Sequence, residues 1–224
     1  MINEKVTKVL QLLDEHYPQD VCFLNYEKPY ELLLATILSA QCTDAQVNRV
    51  TEKLFVKYKT LKDFAEADIA EMEQDVRTTG FFRNKAKNII LTARALLERH
   101  GGELPSDIKS LTKLYGVGRK TANLVRGHIF NIPSIVVDTH VGRVSRRLGF
   151  TNHTDPERVE YDLMKILPES HWIRYNTQII AHGREVCRAR APSCGTCILN
   201  RECAEFFYLF QHDHHTISVS NSRI

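Results

Sequence analysis

Four cysteines near the C-terminal end constrain this chain more than any other feature. Cys187, Cys194, Cys197 and Cys203 fall within seventeen residues, spaced C-x6-C-x2-C-x5-C. Pro192 and Gly195 lie among them to turn the backbone, so four thiolates can close around one metal centre without long chain excursions. The rest of the chain holds only Cys22 and Cys42, which makes a chance grouping of buried thiols a poor account of the spacing. Zinc and an iron-sulfur cluster compete for the site. Tetrathiolate zinc usually pairs two short C-x2-4-C knuckles; here only Cys194 and Cys197 form one, and the longer gaps suit a larger cubane better. Between the first two cysteines runs Arg188-Ala189-Arg190-Ala191-Pro192, a loop whose arginines a bound centre would hold outward, toward phosphate or toward solvent.

Cysteines read as ligands fit a reducing compartment. With 43% hydrophobic and 25% charged residues in 224, the chain reads as globular, which excludes collagen-like and disordered classes. The longest apolar stretch, near Leu32 to Leu38, is broken by Thr36 and falls far short of the roughly 20 residues of a membrane span. Residues 1–19 carry Glu4, Lys5, Asp14 and Glu15 and so lack the apolar core of a secretory signal. The expectation is a cytoplasmic protein, not secreted and without a membrane partner. A net charge of +3 names no partner, so any case for nucleic acid rests on where the charges sit.

Apolar residues recur at three- and four-residue spacing, as in Val6, Val9, Leu10 and Leu13, which predicts an all-α chain. Helices are expected over roughly Tyr30 to Ala40, Asp44 to Tyr58, Ile69 to Arg77, Lys85 to His100, Ile108 to Tyr115, Lys120 to Phe130, His140 to Leu148, Pro156 to Leu167 and His171 to Cys187. The only extended candidate is Ile135 to Val137, too short for a sheet. After Cys203 come an aromatic run, then His212, Asp213, His214 and His215; residues 212–224 read as a flexible tail.

The segment Leu114-Tyr115-Gly116-Val117-Gly118-Arg119-Lys120-Thr121-Ala122-Asn123 sets two glycines before a helix start, a geometry suited to an anion. A Walker loop fails because Arg119 replaces its second glycine, and a dinucleotide fingerprint fails for want of a βαβ unit. A helix-hairpin-helix gripping a DNA phosphate remains. Lys120 starts the second helix beside Arg119, where both the neighbouring charge and the helix end favour a neutral, nucleophilic amine. Asp138 is the only acid between Asp107 and Asp155, in a stretch holding Lys113, Arg119, Arg126, Arg143, Arg146 and Arg147. Such a carboxylate can cap the following helix, stabilise a developing sugar cation, or take a proton from a nucleophile.

Leu114 to Asn123, Val137-Asp138-Thr139-His140 and the cysteine spacing together resemble the endonuclease III family, helix-hairpin-helix iron-sulfur enzymes that act as DNA glycosylases and abasic-site lyases. The resemblance covers roughly Glu4 to Cys203 and includes Leu38-Ser39-Ala40-Gln41-Cys42-Thr43-Asp44 and Gly80-Phe81-Phe82-Arg83-Asn84-Lys85-Ala86. It implies two helical domains with a DNA-binding groove between them: residues 21–132 with the hairpin, and residues 1–20 plus 133–211 with a [4Fe-4S] cluster on Cys187, Cys194, Cys197 and Cys203. It implies Lys120 as the Schiff-base nucleophile and Asp138 as the catalytic carboxylate. Gln41 would fill the gap left by a flipped base, with Phe81 as a second wedge where the family commonly has leucine. Gly116, Gly118, Arg119, Arg143, Arg188 and Arg190 would contact DNA. The implied partner is double-stranded DNA with damaged bases or abasic sites, bound by a monomer associated with the nucleoid, and the implied activity is excision of oxidised pyrimidines with strand cleavage by β-elimination. Tyr115 stands where the family has proline. An adenine-mismatch glycosylase of the same superfamily would lack the lysine and carry a glutamate where Ile37 stands. A non-catalytic DNA-binding iron-sulfur protein would have no use for both Lys120 and Asp138.

Overall fold

A computed structural model describes residues 4–17 and 22–209. The expected tail at residues 212–224, with its histidines, lies outside the described residues. Among those described, every regular element is helical. The eleven α-helices are α1 (Glu4–His16), α2 (Pro29–Leu38), α3 (Asp44–Lys57), α4 (Leu61–Glu66), α5 (Ile69–Asp75), α6 (Phe82–His100), α7 (Ile108–Leu111), α8 (Arg119–Phe130), α9 (Thr139–Leu148), α10 (Pro156–Ile166) and α11 (Trp172–Glu185). The chain divides into two compact units, one over Cys22–Ile132 and one joining Met1–Val21 to Pro133–Ile224.

The unit Cys22–Ile132 is built round α2. Leu32, Leu33, Leu34, Ala35, Ile37 and Leu38 are all buried, so this helix is apolar on every side and sits at the centre of the core. Pro29 opens it, and the Glu31 carboxylate reaches back to accept the Glu27 and Lys28 amides at 2.8 and 3.0 Å. Helices α3, α6 and α8 pack on α2. Only six residues long, α4 escapes a periodicity search; it is fixed by the reciprocal Thr60 and Asp63 cap at its start and by Phe64, fully buried. The helix expected over Ile108 to Tyr115 stops at Leu111, and the chain turns there into the hairpin.

In the other unit α1, α9, α10 and α11 enclose Val9, Leu13, Val141, Leu163, Tyr175 and Ile179. Asp14 ties α1 to α11. Burial works to raise its pKa, but bonds from His171, Gln178 and Arg174 at 3.0, 2.8 and 3.2 Å outweigh that and hold the carboxyl below its ordinary value. The segment Ile135 to Val137, the extended candidate of the sequence, lies outside the helices and forms no ladder. Asn176 takes the place of a neighbouring strand: its Oδ1 accepts the Val136 amide at 3.0 Å and its Nδ2 donates to the Ser134 carbonyl at 3.3 Å.

Candidate active site and metal centre

The glycine hairpin is shaped by α6. Leu114 and Val117 are buried and anchor its two ends. Thr92 Oγ1 on α6 donates to the Tyr115 carbonyl at 2.9 Å. Gly116 has φ +73°, and a Cβ there would lie 2.7 Å from Asn88 Nδ2, so both the backbone conformation and the close approach of α6 require glycine. Gly118 is different: its φ is −90°, no atom lies within 4 Å of where a Cβ would be, and it caps α8 without a side chain. The result is an open helix start, the arrangement that receives an anion. Lys120, the second residue of α8, is exposed there.

Asp138 caps α9, the role its position suggests. Its Oδ1 accepts the His140 and Val141 amides, both at 2.8 Å, and its Oδ2 lies 3.3 Å from His140 Nδ1. The carboxylate is 14% exposed, held against the helix start yet reachable from outside. The chain on its N-terminal side is fastened by Asn176, so the carboxylate is fixed from both directions. Across from it on α11, Gly183 has no side chain; a Cβ would meet His140 Cδ2 at 2.9 Å.

The opposite end of α9 holds the cysteine loop. Arg143 donates to the Cys187 carbonyl from Nε at 3.2 Å and from Nη2 at 3.0 Å, and to the Gly183 carbonyl at 3.0 Å. Arg147 donates to the carbonyls of Arg188 at 2.8 Å and Ala189 at 3.3 Å, and to Cys187 Sγ at 3.3 Å. Arg143, read from the sequence as a DNA contact, therefore has its guanidinium on backbone carbonyls in this structure. Arg188 and Arg190 are exposed on the loop that these arginines secure.

Cys187, Cys194, Cys197 and Cys203 line a single pocket together with apolar Val144, Leu148, Leu199 and Phe206. Burial, with the other three cysteines adding to it, pushes the Cys197 thiol up to about 11; burial also raises Cys203. Four soft sulfurs facing one apolar pocket form a donor set suited to iron-sulfur, whose positive core would favour the thiolates. Among the described residues no group of three or more His, Cys, Asp or Glu side chains converges as a single-ion site. His182 Nε2 lies 3.4 Å from Cys197 Sγ and Nδ1 lies 3.2 Å from Tyr17 Oη; burial lowers this imidazole's pKa to about 4, so it is neutral near pH 7.

Comparison with known proteins finds relatives over most of the chain. The profile of the HhH-GPD superfamily base excision DNA repair proteins fits residues 34–169. Endonuclease III of Synechocystis is 49% identical over 201 residues, covering 89% of this chain and 92% of that protein. Endonuclease III of Bacillus subtilis is 44% identical over 207 residues, 92% of this chain and 94% of that protein. The chain belongs to the endonuclease III family. A solved structure of a trapped endonuclease III–DNA covalent intermediate, the estranged-adenine complex, superposes with a TM-score of 0.87 at 43% identity, covering 94% of this chain and 100% of that one. Gln41 and Phe81 lie on the loops that precede α3 and α6.

Both of those residues are exposed and both adopt left-handed backbone, with φ 53° and 47°. For non-glycine residues this conformation is unfavourable and marks places where the surroundings impose it. Sequence reasoning passed over Asn88, Thr92 and Lys85 on α6; the signal for Lys85 was its place four residues before Ile89 on the apolar stripe. The two glycines of the hairpin should separate experimentally. Gly116→Ala is expected to cost on the order of 1–3 kcal/mol from backbone strain, with the Asn88 clash in addition. Gly118→Ala should cost less than about 1 kcal/mol, the difference between glycine and alanine at a helix cap. Denaturant unfolding of the two variants measures this; equal losses would contradict the assignment of α6 as the hairpin's template.

Proposed function

We propose that this endonuclease III-family chain is a bifunctional DNA glycosylase and abasic-site lyase that excises oxidised pyrimidines from double-stranded DNA and cleaves the strand by β-elimination. The observation that carries the reading is Lys120: an exposed amine at the open start of α8, directly behind a hairpin shaped for phosphate. The hairpin, with Gly116, Gly118 and Arg119, holds the backbone of the lesion strand, and Arg188 and Arg190 add phosphate contacts from the cysteine loop. The damaged nucleotide swings out of the stack, because its anomeric carbon is otherwise shielded. Gln41 enters the space it leaves and Phe81 stacks beside it.

The Lys120 amine bonds to the anomeric carbon as the bond to the base breaks and the base leaves with the electron pair. Asp138 takes the proton released from the amine and offsets positive charge on the sugar. Opening of the sugar ring gives an imine to Lys120. Loss of a proton from C2′ then expels the 3′ phosphate, and water releases the enzyme. One covalent intermediate serves both excision and cleavage.

Cys187, Cys194, Cys197 and Cys203 would hold a [4Fe-4S] cluster. When bound, it supplies a cross-link that fixes the loop carrying Arg188 and Arg190. Holoprotein should be brown and contain about four irons per chain by metal analysis; stoichiometric zinc without visible absorption would reject the cluster. No helix of the described residues is long and apolar enough to cross a membrane. The catalytic reading is tested by borohydride. Incubated with duplex DNA holding an oxidised pyrimidine or an abasic site, the protein should give a covalent adduct whose modified peptide contains Lys120. Failure to trap on both substrates would overturn it.

A further inference from the structure

His182 lines the cysteine pocket from α11 and is only 1% exposed. A buried imidazole is costly unless both ring nitrogens find partners, and an apolar side chain would fill the same space without that cost. Here each nitrogen has one partner among the described residues: Nδ1 lies 3.2 Å from Tyr17 Oη, and Nε2 lies 3.4 Å from Cys197 Sγ. A thiol sulfur is a weak acceptor, whereas a thiolate held in a metal centre is a charged and stronger one. The imidazole is therefore best satisfied when Cys197 is a ligand.

The surroundings fix the ring in this place. Tyr17 directly follows α1; its amide donates to the Leu13 carbonyl at 2.8 Å, and its own carbonyl accepts from Gln178 Nε2 on α11 at 3.1 Å. Its ring meets the His182 ring edge-on, with centroids 6.0 Å apart and planes at 77°. Burial, and after it Glu185, push the Tyr17 phenol up to about 12, so the hydroxyl keeps its proton near pH 7. The backbone of His182 also reaches the loop, since its carbonyl accepts the Cys187 amide at 2.9 Å. One residue thus touches two of the four cysteines. From α9, Arg147 likewise donates to Cys187 Sγ, but its guanidinium also holds the Arg188 and Ala189 carbonyls. The side chain of His182 has no such second duty.

We propose that His182 is a positioning residue of the metal centre, whose Nε2–H donates to the Cys197 thiolate in the loaded protein while Tyr17 holds the imidazole in line for that bond. The proposal rests on the reading that the four cysteines carry a metal centre. A hydrogen bond to a ligand sulfur draws charge off it and favours the more reduced cluster, so His182 sets the potential as well as the fit of the site.

The test uses the iron-loaded holoprotein and reads the cluster itself. His182→Phe keeps an aromatic ring and removes the donor; by protein-film voltammetry the midpoint potential should become more negative by a tenfold change in the one-electron equilibrium, about 59 mV. His182→Gln, whose amide nitrogen can reach the same sulfur, should restore more than half of that shift, which packing alone would not do. Tyr17→Phe should move the potential the same way by less, and should add nothing in the H182F background. A wild-type potential for H182F, or an equal Tyr17→Phe shift in both backgrounds, overturns the proposal. Should H182F assemble no cluster, Tyr17→Phe decides through the Fe–S(Cys) stretches in resonance Raman spectra: altered frequencies support the assignment and wild-type frequencies overturn it. Stoichiometric zinc in the wild-type protein would sink the cluster reading alone. A zinc site presents the same thiolate, so nitrogen NMR of that protein should show His182 protonated at Nε2, and a bare Nε2 overturns the proposal.

Discussion

Lys120→Gln is expected to lower strand cleavage at an oxidised pyrimidine by at least about 10³-fold and to abolish the borohydride adduct. The structure makes this a clean substitution. Lys120 is exposed at the second position of α8, and no ion pair involves it among the described residues, so no packing is lost. Glutamine has nearly the helix propensity of lysine, so α8 keeps its start. An amide nitrogen cannot form the imine. Duplex affinity should fall by less than about tenfold, because at most one phosphate contact disappears, and the salt dependence of binding should shallow by about one unit. Quench-flow cleavage assays and anisotropy titrations across salt measure the two effects. Equal trapping by the variant would remove Lys120 from the chemistry.

The parts of this site that are legible in the sequence are those whose meaning is short-range. The spacing of Cys187, Cys194, Cys197 and Cys203 confines them to one loop, and the structure sets them round one pocket. Gly116 and Gly118 announce a turn before a helix, and Asp138 stands where a helix must be capped. What stays hidden depends on partners distant in the chain. Arg143 and Arg147 read as part of a basic face, yet they clamp carbonyls some forty residues away at Gly183, Cys187 and Arg188. Their charge is visible in the sequence; the orphan carbonyls at the end of α11 that accept it are not. A formal charge of +3 therefore overstates the cations left for phosphate. Ile135 to Val137 stands out in the sequence as the one non-helical apolar segment, but the partner of the Val136 amide, Asn176, sits within a helix where polarity alone gives no hint of burial. Lys85 is hidden for a related reason. Lysine is almost never buried, so its place on the α6 apolar stripe reads as an interruption and not as a side chain pointing inward.

Asp138→Asn should separate the two things this residue does. Asparagine is as good a helix cap as aspartate, and its Oδ1 can still accept the His140 and Val141 amides that Asp138 holds at 2.8 Å. The start of α9 is thus preserved, apart from the loss of about 0.3–1 kcal/mol of charge interaction with the helix end. The proton acceptor and the negative charge are gone. Base excision should fall by roughly 10²- to 10⁴-fold, the range for removing a positioned base. Cleavage of a preformed abasic site should fall less, because no base has to depart and less cationic charge builds on the sugar. Asp138→Ala removes the cap as well and should cost a further ~1 kcal/mol of stability, seen as a lower melting temperature. If excision drops equally in both variants while only the alanine variant melts earlier, the carboxylate acts through its charge. Wild-type excision by Asp138→Asn would reduce Asp138 to a helix cap and leave the Lys120 amine to lose its proton elsewhere.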